Sequence, residues 1–369
     1  MIGEVSNGTG LMLGAPVGGL AVNGPVEAPA TSGKLSPSAA QLGLVVQCVY
    51  GDADVMHVVE SLIPSLATAT ERQVTCYTIN YDPGSSHRIA SGEYGGVAVH
   101  DITNQAVAPT GFAANHNALF RAAQPSPFFV IIKPDCIATP GCLDKLIEAK
   151  LGRERESRQL RADEVGGQNH PRRGIVGQTR NDSMAGLGGG AVGSESAVRV
   201  AIVESRQWPF EHPKEFDALT HETPWASGAC LLIDSEFYRV AGGMAEEYFL
   251  YCEDVDLSWR AWDGGWQVLY EPESVVIHFS DGPWREPGEV TSEVVFSLSG
   301  DIALARKFFG AEAEAVALEA HGGHEDQELA SVVVNRYQNE LKARVPPGHL
   351  GEHHPKIKIV TPGRYHEFN

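Results

Sequence analysis

Three carboxylates crowd the start of a short amphipathic segment, where they could do acid–base chemistry. Glu253, Asp254 and Asp256 directly follow Phe249-Leu250-Tyr251-Cys252. Capping is one explanation, because a helix N-terminus favours acidic residues by about 0.3–1 kcal/mol each. Asp256 and Arg260 are spaced i,i+4 and can pair, whereas Glu253 and Asp254 have no evident partner in the sequence. Burial and like-charged neighbours raise the pKa of a carboxyl group, so this pair is a candidate general base.

A second group of candidate residues stands where apolar runs end. Lys133-Pro134-Asp135 follows the run Phe128–Ile132, and His278 ends the run Val275-Val276-Ile277. A carboxylate at the end of a strand could hold a hard divalent cation, and His278 could be a further ligand. The alternatives are a turn made by Pro134 and Asp135, and a polar residue that simply closes a strand.

Two more segments could contact a ligand. Asp82-Pro83-Gly84-Ser85-Ser86 follows an apolar run, at the position where an α/β sheet presents a carboxylate to a nucleotide base or ribose. The alternative is a turn in which Asp82 caps its own backbone. Further along, the small residues of Thr223–Cys230 would let the backbone approach a ligand closely.

A glycine-rich stretch offers a different chemistry. Gly188–Gly193 formally matches the G-x-G-x-x-G pattern of dinucleotide-binding proteins, but Asn181-Asp182-Ser183 precede it where an apolar strand would be needed. A flexible loop is therefore the favoured interpretation. The alternative function of a dinucleotide-dependent oxidoreductase is supported by this stretch alone.

The elements that position these residues alternate between short apolar runs and helical patterns. This alternation predicts an α/β fold with a mostly parallel, Rossmann-like central sheet flanked by helices, whose ligands bind beyond the carboxyl ends of the strands. The predicted strands are 44–50, 74–79, 96–100, 128–132, 198–203, 231–233 and 275–278, and the predicted helices are 55–66, 112–123, 298–309 and 325–343.

Composition divides the chain into a leader, a folded domain and an extension. Residues 1–40 carry almost no charge and no periodicity, which predicts a flexible leader. Residues 41–285 form the predicted domain, and residues 286–369 a helical C-terminal extension with a polar tail. Within the domain, 41–150 and 223–285 are the two regular halves. Residues 151–222, with a charged and a glycine-rich stretch, are interpreted as a loop-rich insertion outside the main sheet.

Charge and cysteine content exclude several classes of protein. The formal net charge of −19 and the lack of a dense basic run argue against a nucleic-acid partner. The six cysteines are scattered singly, unlike a zinc site or a disulfide scaffold, which favours a reducing cytoplasmic setting. No export signal or uncharged apolar run of about 18 residues is present, so membrane contact is expected to be at most peripheral.

Together these segments resemble the inverting family 2 glycosyltransferases of the GT-A fold, particularly the bacterial rhamnosyltransferase-like branch. The resemblance covers about Leu42 to Ser280 and is most specific over Trp225–His278. The matching segments are Trp225–Ile233, Gly242-Gly243-Met244, Tyr248–Leu257, Gly265-Trp266 and Val276-Ile277-His278, with Gly111–Asn117 and Asp82–Ser86 in the first half.

For the donor side, the resemblance implies a nucleotide-sugar site. Asp82 would face the base, the segment Gly111-Phe112-Ala113-Ala114-Asn115-His116-Asn117 would line the donor, and Asp135 would meet the metal and diphosphate. Gly111, Phe112, Asn115 and Asn117 are the residues of this segment carried over as donor contacts. The family commonly has a second carboxylate or Asn-Pro-Asp where this chain has Lys133-Pro134-Asp135, and the Lys133 cation could itself neutralise diphosphate charge.

For the acceptor side, the resemblance implies that Asp254 is the base that deprotonates a hydroxyl, with Glu253 beside it. Trp225, Ser227 and Gly228 would face the acceptor. The expected reaction is inverting transfer of a sugar from a dTDP- or UDP-sugar, with L-rhamnose from dTDP-L-rhamnose as first choice. The expected acceptor is a surface polysaccharide or its lipid-linked primer. The expected cofactor is Mn²⁺ or Mg²⁺, but the presence of Lys133 leaves open how strongly activity depends on the metal. The rival interpretation is a nucleotide-sugar-binding or scaffold protein that has lost turnover.

Overall fold

The structure is a computed structural model that describes residues 43–167, 198–209, 211, 215–279, 300, 302–308, 310–311, 315 and 358–359. The predicted leader 1–40, the glycine-rich stretch 188–193 and the predicted helix 325–343 lie outside the described residues. Among the described residues, no helix is both long and apolar enough to span a bilayer.

One nine-stranded sheet forms the centre of the described fold, in the order β3-β4-β2-β1-β5-β9-β7-β10-β6. A separate pair, β11-β8, lies outside it. The strands are β1 Leu44–Tyr50, β2 Val74–Asn80, β3 Gly92–Tyr94, β4 Val97–Ile102, β5 Phe128–Ile132, β6 Cys136–Ala138, β7 Val200–Trp208, β8 Glu215–Phe216, β9 Cys230–Asp234, β10 Gln267–His278 and β11 Lys358–Ile359.

Helices lie along both sides of this sheet. They are α1 Val55–His57, α2 Ile63–Ala69, α3 Phe112–Ala123, α4 Cys142–Gly167, α5 Ser235–Val240 and α6 Glu253–Asp263, and residues 302–308 are also helical. A π-helical turn, Val58–Leu62, joins α1 to α2. The α/β class with one large central sheet is therefore confirmed.

The alternation of β5 shows how the sheet is sandwiched. Phe128, Val130 and Ile132 belong to a buried cluster shared with α2 and α4, whereas Phe129 and Ile131 belong to one shared with α3, α5 and α6. Because successive strand side chains point to opposite faces, an entirely apolar strand indicates a sheet that is covered on both sides.

The pairing of the strands is more mixed than the expected mostly parallel sheet. Among the described strands, β1 runs parallel to both β2 and β5, β2 to β4, and β7 to β10. The strand β9 reverses the direction, because it is antiparallel to both β5 and β7. It follows that β1, β2, β5, β7 and β10 all point the same way, and their carboxyl ends share one edge with the amino end of β9.

The segment interpreted as an insertion differs from its prediction at both described ends. Helix α4 continues without a break to Gly167, and β7 occupies a place inside the central sheet, between β9 and β10. The prediction of an excursion outside the sheet is wrong for these residues. It failed because the charged and glycine-rich stretches that precede β7 interrupt the alternation of strands and helices, so the sequence pattern does not connect the strand at 198–203 to the main sheet.

Candidate active site

Most of the candidate site residues lie at the common edge of the sheet. Lys133 and Asp135 follow β5, His278 ends β10, and Gly228 lies two residues before β9. The fold therefore brings together the two groups of candidates that are more than a hundred residues apart in the sequence. This edge is where open α/β sheets bind their ligands.

Asp135 and His278 form the part of the site that could hold a cation. Asp135 Oδ1 and His278 Nε2 are 3.5 Å apart, and within the described residues neither atom makes a hydrogen bond although both are buried. His278 Nδ1 lies 2.7 Å from Gln207 Oε1 and can donate to it, which leaves the Nε2 lone pair directed at the carboxylate. A lone pair and a carboxylate oxygen at this distance repel each other, so a proton or a cation between them fits the arrangement.

Cys136 stands beside this pair, and its Sγ lies within 4.8 Å of their ligand atoms. Its thiol donates to the carbonyl oxygen of Ala229 at 3.6 Å. Burial raises the pKa of the Cys136 thiol well above its ordinary value, and the charge of Asp135 adds to the effect. A neutral thiol is a poor ligand for Mg²⁺ or Mn²⁺, so the oxygen and nitrogen of Asp135 and His278 are the better donors.

Lys133 supplies a positive charge next to the same carboxylate. Burial alone would lower the pKa of Lys133, but the charge of Asp135, followed by Tyr251, Cys136 and Asp254, outweighs it and raises the pKa. In turn, burial favours the neutral form of Asp135, while His278 and Lys133 lower its pKa below the ordinary value. Both groups are therefore charged near neutral pH, and Lys133 Nζ lies 5.9 Å from the ring centroid of Tyr251.

Asp254 is held in place by backbone N–H groups, rather than lacking a partner as the sequence suggested. Gly228 N donates to Asp254 Oδ2 at 2.7 Å, and Val255 N donates to Oδ1 at 2.8 Å. The side chain is only partly buried. A backbone N–H leaves other lone pairs of the carboxylate open, so Asp254 remains able to accept a proton from a bound hydroxyl.

The two neighbours of Asp254 in the acidic cluster have different surroundings. Glu253 is buried. Asp256 is fully buried, and its Oδ1 accepts from Arg260 Nε at 2.5 Å, as the i,i+4 spacing predicted. This ion pair gives Asp256 a structural role in α6, and it leaves Asp254 as the least buried member of the cluster.

Asp82 follows β2 on the same edge, with its side chain partly buried. Its Oδ1 accepts from Gly84 N at 2.9 Å, which is the self-capping turn that the sequence offered as an alternative. The ring of Tyr81 packs directly on Gly51, since a Cβ at Gly51 would lie 2.5 Å from Tyr81 Cε1. The second oxygen of Asp82 is the one left to meet a nucleotide.

Gly111 and Phe112 connect the donor side to the acidic segment. Phe112 N donates to Phe249 O at 2.8 Å, and a Cβ at Gly111 would lie 2.4 Å from the same oxygen. The ring of Phe112 lies near Gly228, because a Cβ on that glycine would be 3.7 Å from it. Only glycine at position 111 permits this approach.

Asn115 and Asn117 occupy positions that differ from the expected direct donor contacts. Asn115 donates to the carbonyl oxygens of Thr110 and Gly111, at 2.8 and 2.9 Å. Asn117 donates to Met244 O at 2.9 Å and accepts from Tyr238. Both side chains are buried, so they shape the loops on either side of α3 from within the protein.

The residues expected at the acceptor are also mostly internal. Trp225 is buried in a cluster with Tyr248 and Trp259, and Ser227 is buried as well. Gly228 donates its backbone N–H directly to Asp254. The segment thus supports the site through its backbone.

Three residues near the site carried no clear signal in the sequence. Gln207 orients His278, and Tyr251 lies under Lys133. Asp54 accepts from Gly51 N at 2.8 Å; burial raises its pKa, and the charge of Asp135 contributes to that rise. A polar residue at the end of an apolar strand could have indicated Gln207, but the other two depend on contacts between distant segments.

The chain is similar in sequence to two known glycosyltransferases. No family model matches the chain. Two curated proteins of Mycobacterium tuberculosis, from strains CDC 1551 / Oshkosh and ATCC 25618 / H37Rv, are 27% identical to it over 234 residues, which is 59% of this chain and 71% of each relative. Both are named N-acetylglucosaminyl-diphospho-decaprenol L-rhamnosyltransferase.

This sequence match supports a glycosyltransferase. The predicted enzyme class is thereby confirmed. Solved structures similar to this glycosyltransferase include the mannosyltransferase PcManGT from Pyrobaculum calidifontis in complex with GDP-Man and Mn²⁺, at a TM-score of 0.40 and 11% identity over 82% of this chain and 84% of that one. GalNAc-T7 with UDP, GalNAc and Mn²⁺ gives a TM-score of 0.44 and 11% identity over 82% of this chain and 55% of that one. Because both TM-scores are below 0.5, the assignment rests on the sequence match and the sheet.

Proposed function

We propose that this glycosyltransferase transfers L-rhamnose from dTDP-L-rhamnose, with inversion, to a hydroxyl of a saccharide or lipid-linked saccharide. The choice of sugar is supported by the mycobacterial relatives, which are named as L-rhamnosyltransferases acting on a diphospho-decaprenol-linked N-acetylglucosamine. The acceptor is then a growing surface polysaccharide or its lipid-linked primer, met at the inner face of the membrane.

One observation carries the proposal. Two consecutive residues of one loop contact the candidate base and the candidate counter-charge. Gly228 N donates to Asp254, and Ala229 O accepts from the backbone N of Lys133 at 2.9 Å. The candidate base Asp254 and the residue Lys133, which follows β5, therefore both hydrogen-bond to the same short stretch of backbone. An inverting transfer needs a base for the acceptor proton and a positive charge for the leaving diphosphate, and this loop contacts a candidate for each.

The roles follow from the charges at the two sides. Asp254 would take the proton of the acceptor hydroxyl as its oxygen attacks the anomeric carbon. The bond from that carbon to the diphosphate oxygen breaks, and the Lys133 ammonium stabilises the leaving negative charge. Asp135 and His278 would hold a divalent cation, which when bound neutralises further charge on the diphosphate. Asp82 and the backbone around Gly111 would bind the nucleotide.

A thermal-shift screen tests this proposal. The protein is heated with dTDP-L-rhamnose, UDP-glucose, UDP-N-acetylglucosamine or GDP-mannose, each with Mn²⁺, with Mg²⁺ or with excess chelator. A ligand at 100 times its Kd adds about 2.7 kcal/mol to the free energy of unfolding, which is readily measured. We expect dTDP-L-rhamnose to stabilise most, with a larger shift in the presence of the cation.

The outcome with the other sugars separates the alternatives. A larger shift with a UDP- or GDP-sugar would reject dTDP-L-rhamnose as the donor. Binding of dTDP-L-rhamnose without any release of dTDP on addition of a GlcNAc-diphospho-lipid would favour a binding protein that has lost turnover. A full shift and full activity in excess chelator would remove the cation from the proposal and leave Lys133 as the counter-charge.

A further inference from the structure

The backbone just before Asp254 has an unusual conformation. Tyr251 and Cys252 both have φ of 72°, in the left-handed region that residues other than glycine rarely adopt. Such a conformation is strained, so it persists only where the surrounding structure holds it. The two together aim the first turn of α6, and with it the candidate base.

The helical residues 302–308 pack against this turn and against α6. Leu304 is fully buried in the same cluster as Trp259, and the ring of Phe308 meets Trp259 edge-on at 5.0 Å between centroids. Gly300 lies against the turn itself, since a Cβ there would be 2.9 Å from Cys252 Sγ. Gly300 therefore lies against the two residues that precede the acidic cluster, and residues 302–308 pack against α6.

Lys307 adds an ionic contact to this packing. Its Nζ lies 2.5 Å from Asp256 Oδ2 and 2.8 Å from Glu247 Oε1. Arg260 occupies the other oxygen of Asp256 and also donates to the carbonyl oxygens of Ala241 and Gly243. Asp256 is thus held by two cations, Arg260 from its own helix and Lys307 from the helical residues 302–308.

We propose that Lys307 is a positioning residue for the transfer reaction. By bridging Asp256 to Glu247 it clamps the first turn of α6 onto the segment that leads into the strained turn, and so fixes the direction of Asp254 two residues before Asp256. Without the lysine, Asp256 would keep its ion pair with Arg260 but would lose the cation that links it to Glu247. The first turn of α6 would then be held less firmly to the segment before it. This inference rests on the proposed role of Asp254.

The test compares Lys307→Met with Lys307→Arg and with the matched control Lys145→Met. Lys145 also bridges two carboxylates, Glu148 and Glu273, at 3.4 Å each, but does so on α4. The kcat and the KM for dTDP-L-rhamnose are measured with a GlcNAc-diphospho-lipid acceptor, at a temperature where circular dichroism shows every variant folded. Donor Kd is measured on the same samples.

We expect Lys307→Met to lower kcat by about 10- to 100-fold, the scale of a small misplacement of a catalytic group, with little change in donor Kd. Lys307→Arg should recover most of the kcat, and Lys145→Met should match the parent. If Lys307→Met yields no folded protein, Lys307→Gln replaces it with the same expectation.

A kcat of Lys307→Met within twofold of the parent would overturn the inference, and so would a loss that Lys307→Arg does not recover. Asp254→Asn in the same assay separates this failure from that of the proposed function. Full turnover by Asp254→Asn would reject the base itself, whereas collapse of Asp254→Asn beside an active Lys307→Met would reject only the role of Lys307.

Discussion

One carboxylate oxygen of Asp82 accepts a hydrogen bond from Gly84 N, and the other oxygen is proposed to contact a nucleotide. The role of Asp82 in the turn and its proposed role in donor binding can therefore be tested separately. Asn keeps an oxygen that can accept from Gly84 N, whereas Ala removes it. A comparison of the two substitutions therefore distinguishes a turn residue from a donor contact.

We expect both Asp82→Asn and Asp82→Ala to weaken dTDP binding by about tenfold or more, because a hydrogen bond to a charged group contributes roughly 1.5–3 kcal/mol. Isothermal titration calorimetry with dTDP measures the change. Unaltered affinity in Asp82→Asn, with a loss only in Asp82→Ala, would assign Asp82 to the turn alone.

Also at the residue scale, the bond from Gln207 to His278 predicts how the enzyme responds to metal. Gln207→Leu removes the acceptor of His278 Nδ1, and His278→Ala removes the Nε2 ligand itself. Loss of a group that orients a ligand typically costs 10- to 100-fold in metal affinity. We expect both variants to need more Mn²⁺ for half-maximal activity, His278→Ala the more so.

A titration of activity with Mn²⁺ measures this, with His221→Ala as a histidine control at a distance from Asp135. Half-maximal activation at the parental Mn²⁺ concentration in His278→Ala would contradict the assignment of this histidine as a ligand.

At the scale of elements, the start of α3 contacts the segment before α6, which joins the proposed donor segment to the proposed base. A Cβ at Gly111 would overlap the backbone oxygen of Phe249, and backbone cannot step aside as a flexible side chain can. Gly152 offers a control inside α4, where an added Cβ meets nothing within 4 Å.

We expect Gly111→Ala to lower the free energy of unfolding by about 1–3 kcal/mol, the usual cost of overpacking, and to reduce activity. Gly152→Ala should be neutral or stabilising by up to about 1 kcal/mol, since alanine is the better helix former. Urea unfolding of the two variants gives both numbers. Equal stability would show that the α3 junction can relax around the methyl group.

The loop that runs into the Thr223–Gly228 segment contains a pH-dependent contact. His221 Nδ1 lies 3.4 Å from Glu271 Oε2, and this hydrogen bond is the main cause that raises the pKa of His221, against burial. A raised pKa means that the folded protein favours the protonated form. The contact therefore stabilises fully below the ordinary histidine pKa of about 6.5 and is lost as pH rises through the raised value.

It follows that His221→Gln should lower the melting temperature at pH 5.5 and leave it nearly unchanged at pH 9. Thermal unfolding at the two pH values measures this. The same difference at both would mean that the imidazole acts through packing and not through its charge.

How far the elements could be predicted depended on local pattern. Helix α3 and strand β5 have the predicted ends, because an extended Gly111 begins the helix and an unbroken apolar run defines the strand. The sequence predicts β7 outside the sheet because a charged and a glycine-rich stretch precede it, and the structure shows that it also carries the buried polar residues Glu204 and Gln207. Buried polar residues in a central strand need hydrogen-bond partners from other segments, and the local sequence pattern does not predict those partners.

The candidate site divides in the same way. The ion pair of Asp256 with Arg260 could be predicted because helical spacing alone places i and i+4 together. The second cation on Asp256, Lys307, comes from a helix about fifty residues further on and is visible only in the folded chain. Asn115 and Asn117 were expected at the donor, but their amides are used in loops whose shape depends on tertiary contacts.

At the scale of the whole molecule, the reaction requires that two halves of one sheet meet along a single edge. The strand β9 makes this possible, because by reversing direction it brings its amino end, with Gly228 and Ala229, between the carboxyl ends of β5 and β7. The net charge of −19 also bears on function, since an anionic donor must approach an acidic protein. Lys133, with its pKa raised, places a positive charge at this edge, where the proposed diphosphate would lie.

The central claim is that Asp254 deprotonates the acceptor, and single-turnover kinetics of Asp254→Asn beside Glu253→Gln and Asp256→Asn test it most directly. The amide keeps the shape of the side chain but cannot take the proton. We predict a loss of about 10²- to 10⁴-fold in the rate for Asp254→Asn, the usual scale of general-base catalysis, with unchanged affinity for dTDP-L-rhamnose. A near-normal rate in Asp254→Asn together with collapse in Glu253→Gln would contradict the claim and make Glu253 the base.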